Sequence, residues 1–262
     1  MSTVFLYSGI TALDAWAQPF VEACGGPGGS IALLMVPRFK PHEVRCRQAL
    51  LKAGAGEIQT VAPPANLVLS DRSLRTLERS TGMFMAGGAA SVYQRIYGTR
   101  PASRLIQRRV AAGVPYGGLS AGSMMAADLC DVGHTAVRTK TNEFLLAAEG
   151  HAAPGGVDLK AGLGLVKDSV LQPHLSEWGQ LPELFEDMRV GGSRIGLGLD
   201  NSICLELKDG RSAFVRGRGR LYVLRKRTKG TRSFGVELEA YEPGAHFDLA
   251  TGKKLRRSDR IR

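Results

Sequence analysis

Over the first 125 residues, short apolar runs alternate with longer stretches of helical periodicity, and no other feature constrains the fold as much. Residues 4–8, 30–37, 57–61, 82–88 and 114–119 read as strands. Residues 11–24, 41–53, 71–78, 91–97 and 101–112 read as helices, with Ser70 placed to cap the third. The run at 30–37 (Ser-Ile-Ala-Leu-Leu-Met-Val-Pro) has no polar alternation, as expected of a strand buried on both faces. Strand–helix alternation predicts an α/β fold, a mostly parallel sheet with helices on both faces. Ligands of such sheets bind beyond the carboxyl ends of the strands. Two glycine pairs, Gly87-Gly88 and Gly117-Gly118, fall at or near predicted strand ends. After residue 195 the pattern changes to short strands at 194–199, 202–207, 212–216 and 220–225, joined by turns such as Asp209-Gly210. This predicts antiparallel hairpins or a meander that completes the sheet.

Composition narrows the function classes. At 262 residues with 44% hydrophobic and 23% charged side chains, the chain can bury a substantial core. No apolar run reaches the length of a membrane span, and the first residues lack the basic start of a signal peptide; a cytoplasmic protein is expected. Net charge is +11. Residues 206–262 hold 16 Lys/Arg against 7 Asp/Glu, so most of the excess lies in the C-terminal strands and in a basic tail expected over 251–262 and read as mobile. That asymmetry keeps a nucleic-acid or polyanion partner open beside a merely solubilising surface. Cys24, Cys46, Cys130 and Cys204 form no metal-ligand spacing, and no metal or cofactor is expected.

One motif carries chemistry. Gly118-Leu119-Ser120-Ala121-Gly122 follows a predicted strand and precedes an apolar helix start, the pattern of a nucleophile elbow. The tight turn exposes the serine hydroxyl and demands small neighbours. The Ala121 amide then points at a developing oxyanion. A serine nucleophile needs a base. Of His42, His134, His151, His174 and His246, only His174 follows a strand-like run into a carboxyl-end position, while His42 sits at a helix start. An acid should orient the imidazole, and Asp128, Asp131, Glu143, Glu149 and Asp158 lie between Ser120 and His174. The Gly88 amide is a second oxyanion candidate, although close strand–helix packing is the favoured explanation of Gly87-Gly88 taken on its own.

Taken in order, these features resemble the cyanophycinase and dipeptidase E family of serine peptidases. The resemblance rests on Gly87-Gly88, on the Ser120 motif, on Gly162-Leu163-Gly164-Leu165-Val166 leading toward His174, on Gly196-Leu197-Gly198-Leu199-Asp200, and on Phe247-Asp248-Leu249. It runs from about residue 4 to residue 250. It implies a class I glutamine amidotransferase-like fold, Ser120 as nucleophile, His174 as base and Glu149 as the acid, with Glu143 in reserve. The departures fall on substrate positions. Ala90 stands where the family has a polar residue, Gln172-Pro173 precede the histidine in place of Asp-Gln, and Trp178, Gln180 and Glu183 replace arginines.

The resulting expectation is a single hydrolytic domain over 1–250. Ser120, His174 and Glu149 are catalytic, Gly88 and Ala121 form the oxyanion hole, and Ala90, Gln172 and Trp178 lie at the substrate. The substrate is a small peptide or isopeptide, and the resemblance allows a homodimer. The rivals are a catalytically silent binding protein of the same fold and a polyanion binder.

Overall fold

Near-continuous apolar runs form four strands whose residues are buried on both faces almost throughout: β1 (Thr3–Tyr7), β2 (Ser30–Leu34), β4 (Gly82–Met85) and β5 (Tyr116–Leu119). With β3 (Glu57–Val61), the more polar edge, they pair in parallel in the order β1-β5-β4-β2-β3. The structure, a computed structural model, describes residues 1–37, 40–64, 66–133, 157–227 and 234–256.

Helices cover both faces, as the alternation predicts. On one side α1 (Ile10–Trp16), α2 (Gln18–Ala23) and α3 (Lys40–Lys52) enclose a core of Phe5, Tyr7, Leu13, Phe20, Leu33 and Phe84. On the other, α4 (Asp71–Arg79), α5 (Ala90–Tyr97), α6 (Ala102–Ala111) and α7 (Ala121–Ala126) pack against Leu6, Leu34, Met85 and Tyr116. Ser70 caps α4, its hydroxyl accepting from the Ser73 amide at 3.2 Å. The single helix expected over 11–24 is two helices divided at Ala17, because Pro19 in the first turn of α2 has no N–H to continue the ladder.

The C-terminal strands pair antiparallel with one another as expected, but they divide between two sheets rather than completing one. β10 (Ser202–Lys208) and β11 (Ser212–Arg218) form a hairpin that joins the main sheet at β1, and β14 (His246–Asp248) adds the edge. β9 (Ile195–Leu199) and β12 (Leu221–Arg227) lie instead in a second sheet with β8 (Ser169–Pro173) and β13 (Gly235–Tyr241), in the order β13-β12-β9-β8. Strand periodicity records burial, not pairing partner, so the division is invisible in the pattern. A small ribbon pairs β6 (Leu129–Asp131) with β7 (Leu159–Ala161). After β8 the chain forms α8 (Leu175–Trp178) and α9 (Leu181–Gly191). These pack on β9 at glycines: a Cβ on Gly198 would meet Leu175 at 2.5 Å, and one on Gly196 would meet Met188 at 2.5 Å. Leu171, Leu197 and Val223 of the second sheet share the α4–α7 core, so both sheets are anchored in one interior. Residues 251–256 fold back on β14, with the Gly252 amide on the Asp248 carbonyl and the Leu255 amide on that of His246.

Candidate active site

The site begins with the turn between β5 and α7. Ser120 has φ 51° and ψ −113°, a left-handed-side backbone that holds its hydroxyl off the strand end. Its amide donates to the Tyr7 carbonyl at 2.8 Å, and the Ser123 hydroxyl donates to the Tyr7 and Gly118 carbonyls at 2.9 and 2.7 Å. The flanking glycines are required by space. A Cβ on Gly118 would lie 2.4 Å from the Gly122 carbonyl oxygen, and one on Gly122 would lie 2.1 Å from that of Met85. The turn therefore closes only with glycine at both positions. The Ala121 amide opens α7, where the first N–H groups have no intrahelical acceptor. The Gly87-Gly88 pair ends β4 alongside. Gly88 has φ 145°, which favours glycine, and a Cβ on Gly87 would lie 3.4 Å from Ser120 Cβ.

β8 delivers His174 from the other side, at φ 56°, immediately before α8. Its Nε2 lies 3.0 Å from Ser120 Oγ. Its backbone amide donates to Ser8 Oγ at 2.8 Å, and that hydroxyl donates to the Leu199 carbonyl at 3.0 Å. One fully buried serine at the end of β1 thus ties the main sheet to the ends of β8 and β9. Trp178, one turn along α8, lies over the imidazole with ring centroids 4.2 Å apart and a 34° tilt.

The group on His174 Nδ1 is Asn201 Oδ1. An amide oxygen only accepts, so Nδ1 carries the proton and the Nε2 lone pair faces the serine hydroxyl. The Asn201 backbone is itself held: its N–H donates to Glu177 Oε1 at 3.0 Å, and its main-chain carbonyl accepts from the Gly9 amide at 2.9 Å. Three of the acids expected in this place are engaged elsewhere. Asp128 accepts from the Asp168 amide at 3.2 Å, Asp131 from the amides of Gly133 and Asp158, and Asp158 pairs with Lys160 at 2.7 Å. Glu143 and Glu149, like His134 and His151, lie outside the described residues. Asn201 carried one sequence signal. It follows the Gly196–Asp200 block on a strand whose parallel register sets Leu199 beside Pro173, next to His174.

The structure brings Ser120, His174, Ala121 and the Gly87-Gly88 pair together. Of the substrate-side candidates, the half-buried Trp178 also lies at the imidazole, while Ala90 and Gln172 are buried. Ala90 begins α5 and is packed in the core, Gln180 is fully buried, and Trp178 has one face against His174. Gln172 points into the interior, its amide donating to Asp187 at 2.7 Å. Burial pushes the Asp187 carboxyl up to about 7, with the nearby Asp131 adding to the effect. His246 is remote on β14, where Nε2 meets Ser212 Oγ at 2.9 Å. All four cysteines are buried free thiols, Cys46 pushed up to about 12 by burial, which leaves them unreactive.

Comparison with known proteins agrees with this architecture. The model of Peptidase family S51 matches residues 44–215. The chain is 23% identical over 180 residues to a cyanophycinase of Synechococcus elongatus, covering 68% of this chain and 52% of that protein, so it spans about half the relative's length. It is 22% identical over 213 residues to a cyanophycinase of Geminocystis herdmanii (strain PCC 6308), covering 79% of this chain and 73% of the relative. A solved structure of a peptidase from an acI-B1 Actinobacterium superposes with a TM-score of 0.65 at 14% identity, over 95% of this chain and 97% of that one, and so shares its fold. With a model match across well over half its length, the chain belongs to peptidase family S51.

Proposed function

We propose that the protein is a serine hydrolase that cleaves an amide bond of a small peptide or isopeptide through an acyl-enzyme on Ser120. The observation that carries this reading is the 3.0 Å approach of His174 Nε2 to Ser120 Oγ, with Asn201 fixing the tautomer that leaves Nε2 as acceptor. In the first step Ser120 Oγ bonds to the carbonyl carbon and its proton passes to Nε2. The carbonyl electron pair moves onto oxygen, opposite the amides of Gly88 and Ala121. Collapse breaks the C–N bond, and the imidazolium gives its proton to the leaving amine. Water, deprotonated by the same nitrogen, then releases the acid and frees Ser120. Trp178 stabilises the imidazolium form through its π face. Asn201 orients that form but adds no negative charge of its own; among the described residues, the Glu177 carboxylate meets the Asn201 backbone N–H rather than its side chain.

The substrate differs from that of the cyanophycinases. Where those enzymes carry arginines after the histidine, this chain has Trp178 against the imidazole and a buried Gln180. The neutral Asn201 also favours one alternative, a binding protein that has kept the fold. A mass-spectrometric screen of short peptides and isopeptides, run with wild type and Ser120→Ala, decides between them. Cleavage products that vanish in the variant support the hydrolase. Retention of intact peptides by both proteins supports the binding protein.

A further inference from the structure

A second imidazole faces the nucleophile from the opposite flank. β5 lies between β1 and β4 in the sheet. His174 reaches Ser120 from the β1 side, where its amide sits on Ser8. On the β4 side, the first turn of α3 places His42 over the Gly87-Gly88 turn. A carbon built at the Cβ position of Gly87 would lie 3.4 Å from Ser120 Cβ and 3.5 Å from His42 Nδ1. The imidazole and the nucleophile thus converge on the point where Gly87 has no side chain. The placement of α3 is fixed one turn later, where the buried Cys46 thiol meets the backbone of Gly87. His42 and Cys46 are four residues apart and share a helix face. Burial, with the Arg45 guanidinium second, holds the half-buried His42 imidazole below its usual range, so at neutral pH the ring is uncharged and carries one N–H.

We propose that His42 is a third donor of the oxyanion site, holding the acyl carbonyl oxygen of the bound substrate from the β4 side, opposite His174. The inference rests on the serine-hydrolase reading above. In the attack step, Ser120 Oγ bonds to the carbonyl carbon, the proton goes to His174, and the negative charge formed on oxygen meets the amides of Gly88 and Ala121 together with the His42 N–H. No proton leaves His42. A neutral imidazole suits this role because it donates to an oxyanion without a standing positive charge that would tie up ground-state anions.

The test compares wild type, Ser120→Ala, His42→Phe, His42→Gln and Gly87→Ala, each first shown to be folded by circular dichroism and thermal melting. The probes are a small fluorophosphonate, for the second-order labelling rate, and p-nitrophenyl acetate, for steady-state kinetics. Loss of the donor in His42→Phe is expected to slow labelling by about 10²-fold. kcat should fall by a similar factor at little-changed KM. His42→Gln, which keeps an N–H, should recover to within about tenfold of wild type. Gly87→Ala leaves His42 in place and sets a methyl group at the shared point, in ordinary contact distance of both groups; its labelling should also slow. Wild-type rates in His42→Phe and Gly87→Ala, or equal losses in His42→Phe and His42→Gln, overturn the assignment while leaving Ser120 as nucleophile. Failure of wild type to label at Ser120 overturns the serine-hydrolase reading, and this one with it.

Discussion

At the scale of single residues the central object is Asn201. Its Oδ1 fixes the His174 tautomer as a carboxylate would, but brings no charge to stabilise the imidazolium. Two substitutions separate these contributions. Asn201→Ala should lower kcat/KM by roughly 10²-fold, because the ring loses both tautomer control and orientation. Asn201→Asp keeps the acceptor and adds the charge, and should raise kcat by about tenfold, equivalent to about 1.4 kcal/mol of transition-state stabilisation. Steady-state hydrolysis of p-nitrophenyl acetate reads both, and a loss in Asn201→Asp would contradict this division of labour. Ser120 and His174 were legible in the sequence because each sits at a strand end in a pattern with a mechanical reason. Asn201 was not, since an asparagine in a two-residue turn between strands reads as turn chemistry. Nothing in its spacing announces that two parallel strands bring it to a histidine 27 positions earlier.

Secondary-structure elements position these residues, and β8 is the sensitive one. Its inward side chain two places before His174 is Gln172, which is hydrogen-bonded to Asp187 of α9. Asp187 faces Asp131 from β6, with Glu183 and Glu186 on its own helix, and burial raises its carboxyl to about 7. A folded-state value above the unfolded one means that the native chain keeps a proton the unfolded chain gives up. The contribution to stability is therefore fully present below the unfolded carboxylate range, and it is lost as pH rises toward and through about 7. Asp187→Asn removes this dependence while keeping an oxygen for Gln172. The melting temperature of Asp187→Asn relative to wild type should therefore climb between pH 5 and pH 8. Parallel curves would contradict a buried protonated carboxyl. The elements themselves were mostly readable. β3, α4 with its Ser70 cap, and the β10–β11 hairpin follow from propensity, capping and turn chemistry acting locally. The break at Ala17 was missed because apolar spacing continued through it although the backbone ladder, interrupted by Pro19, did not.

Over the whole molecule the site depends on two sheets meeting. Ser120 belongs to the main sheet, while His174 and the strand leading to Asn201 belong to the second. They are joined above a shared core by Ser8, which accepts from the His174 amide and donates to the Leu199 carbonyl. Ser8→Ala should cost about 1–3 kcal/mol of stability through the unsatisfied buried amide, and should slow acylation as well. Thermal melting and hydrolysis measured together check this, and a stability loss with full activity would place the Ser8 link outside the site's alignment. The sequence could not reveal this meeting, because pairing partners are chosen by long-range packing. The basic C-terminal region also reads differently once folded. Arg216 pairs with Glu206 at 2.6 Å, and Arg211, Arg225 and Arg227 are engaged by Asp248, Glu239 and Glu237. These four of the region's 16 Lys/Arg thus belong to the sheets' own ion pairs. Among the described residues, no helix is long and apolar enough to cross a membrane.

The central claim is that the two sheets assemble an activated serine, and labelling with a small fluorophosphonate addresses it most directly. Intact-mass analysis of wild type should show a single adduct that peptide mapping assigns to Ser120. The adduct should be absent in Ser120→Ala and form far more slowly in His174→Ala. A folded wild-type protein that takes up no probe, or one labelled at another residue, would contradict the account.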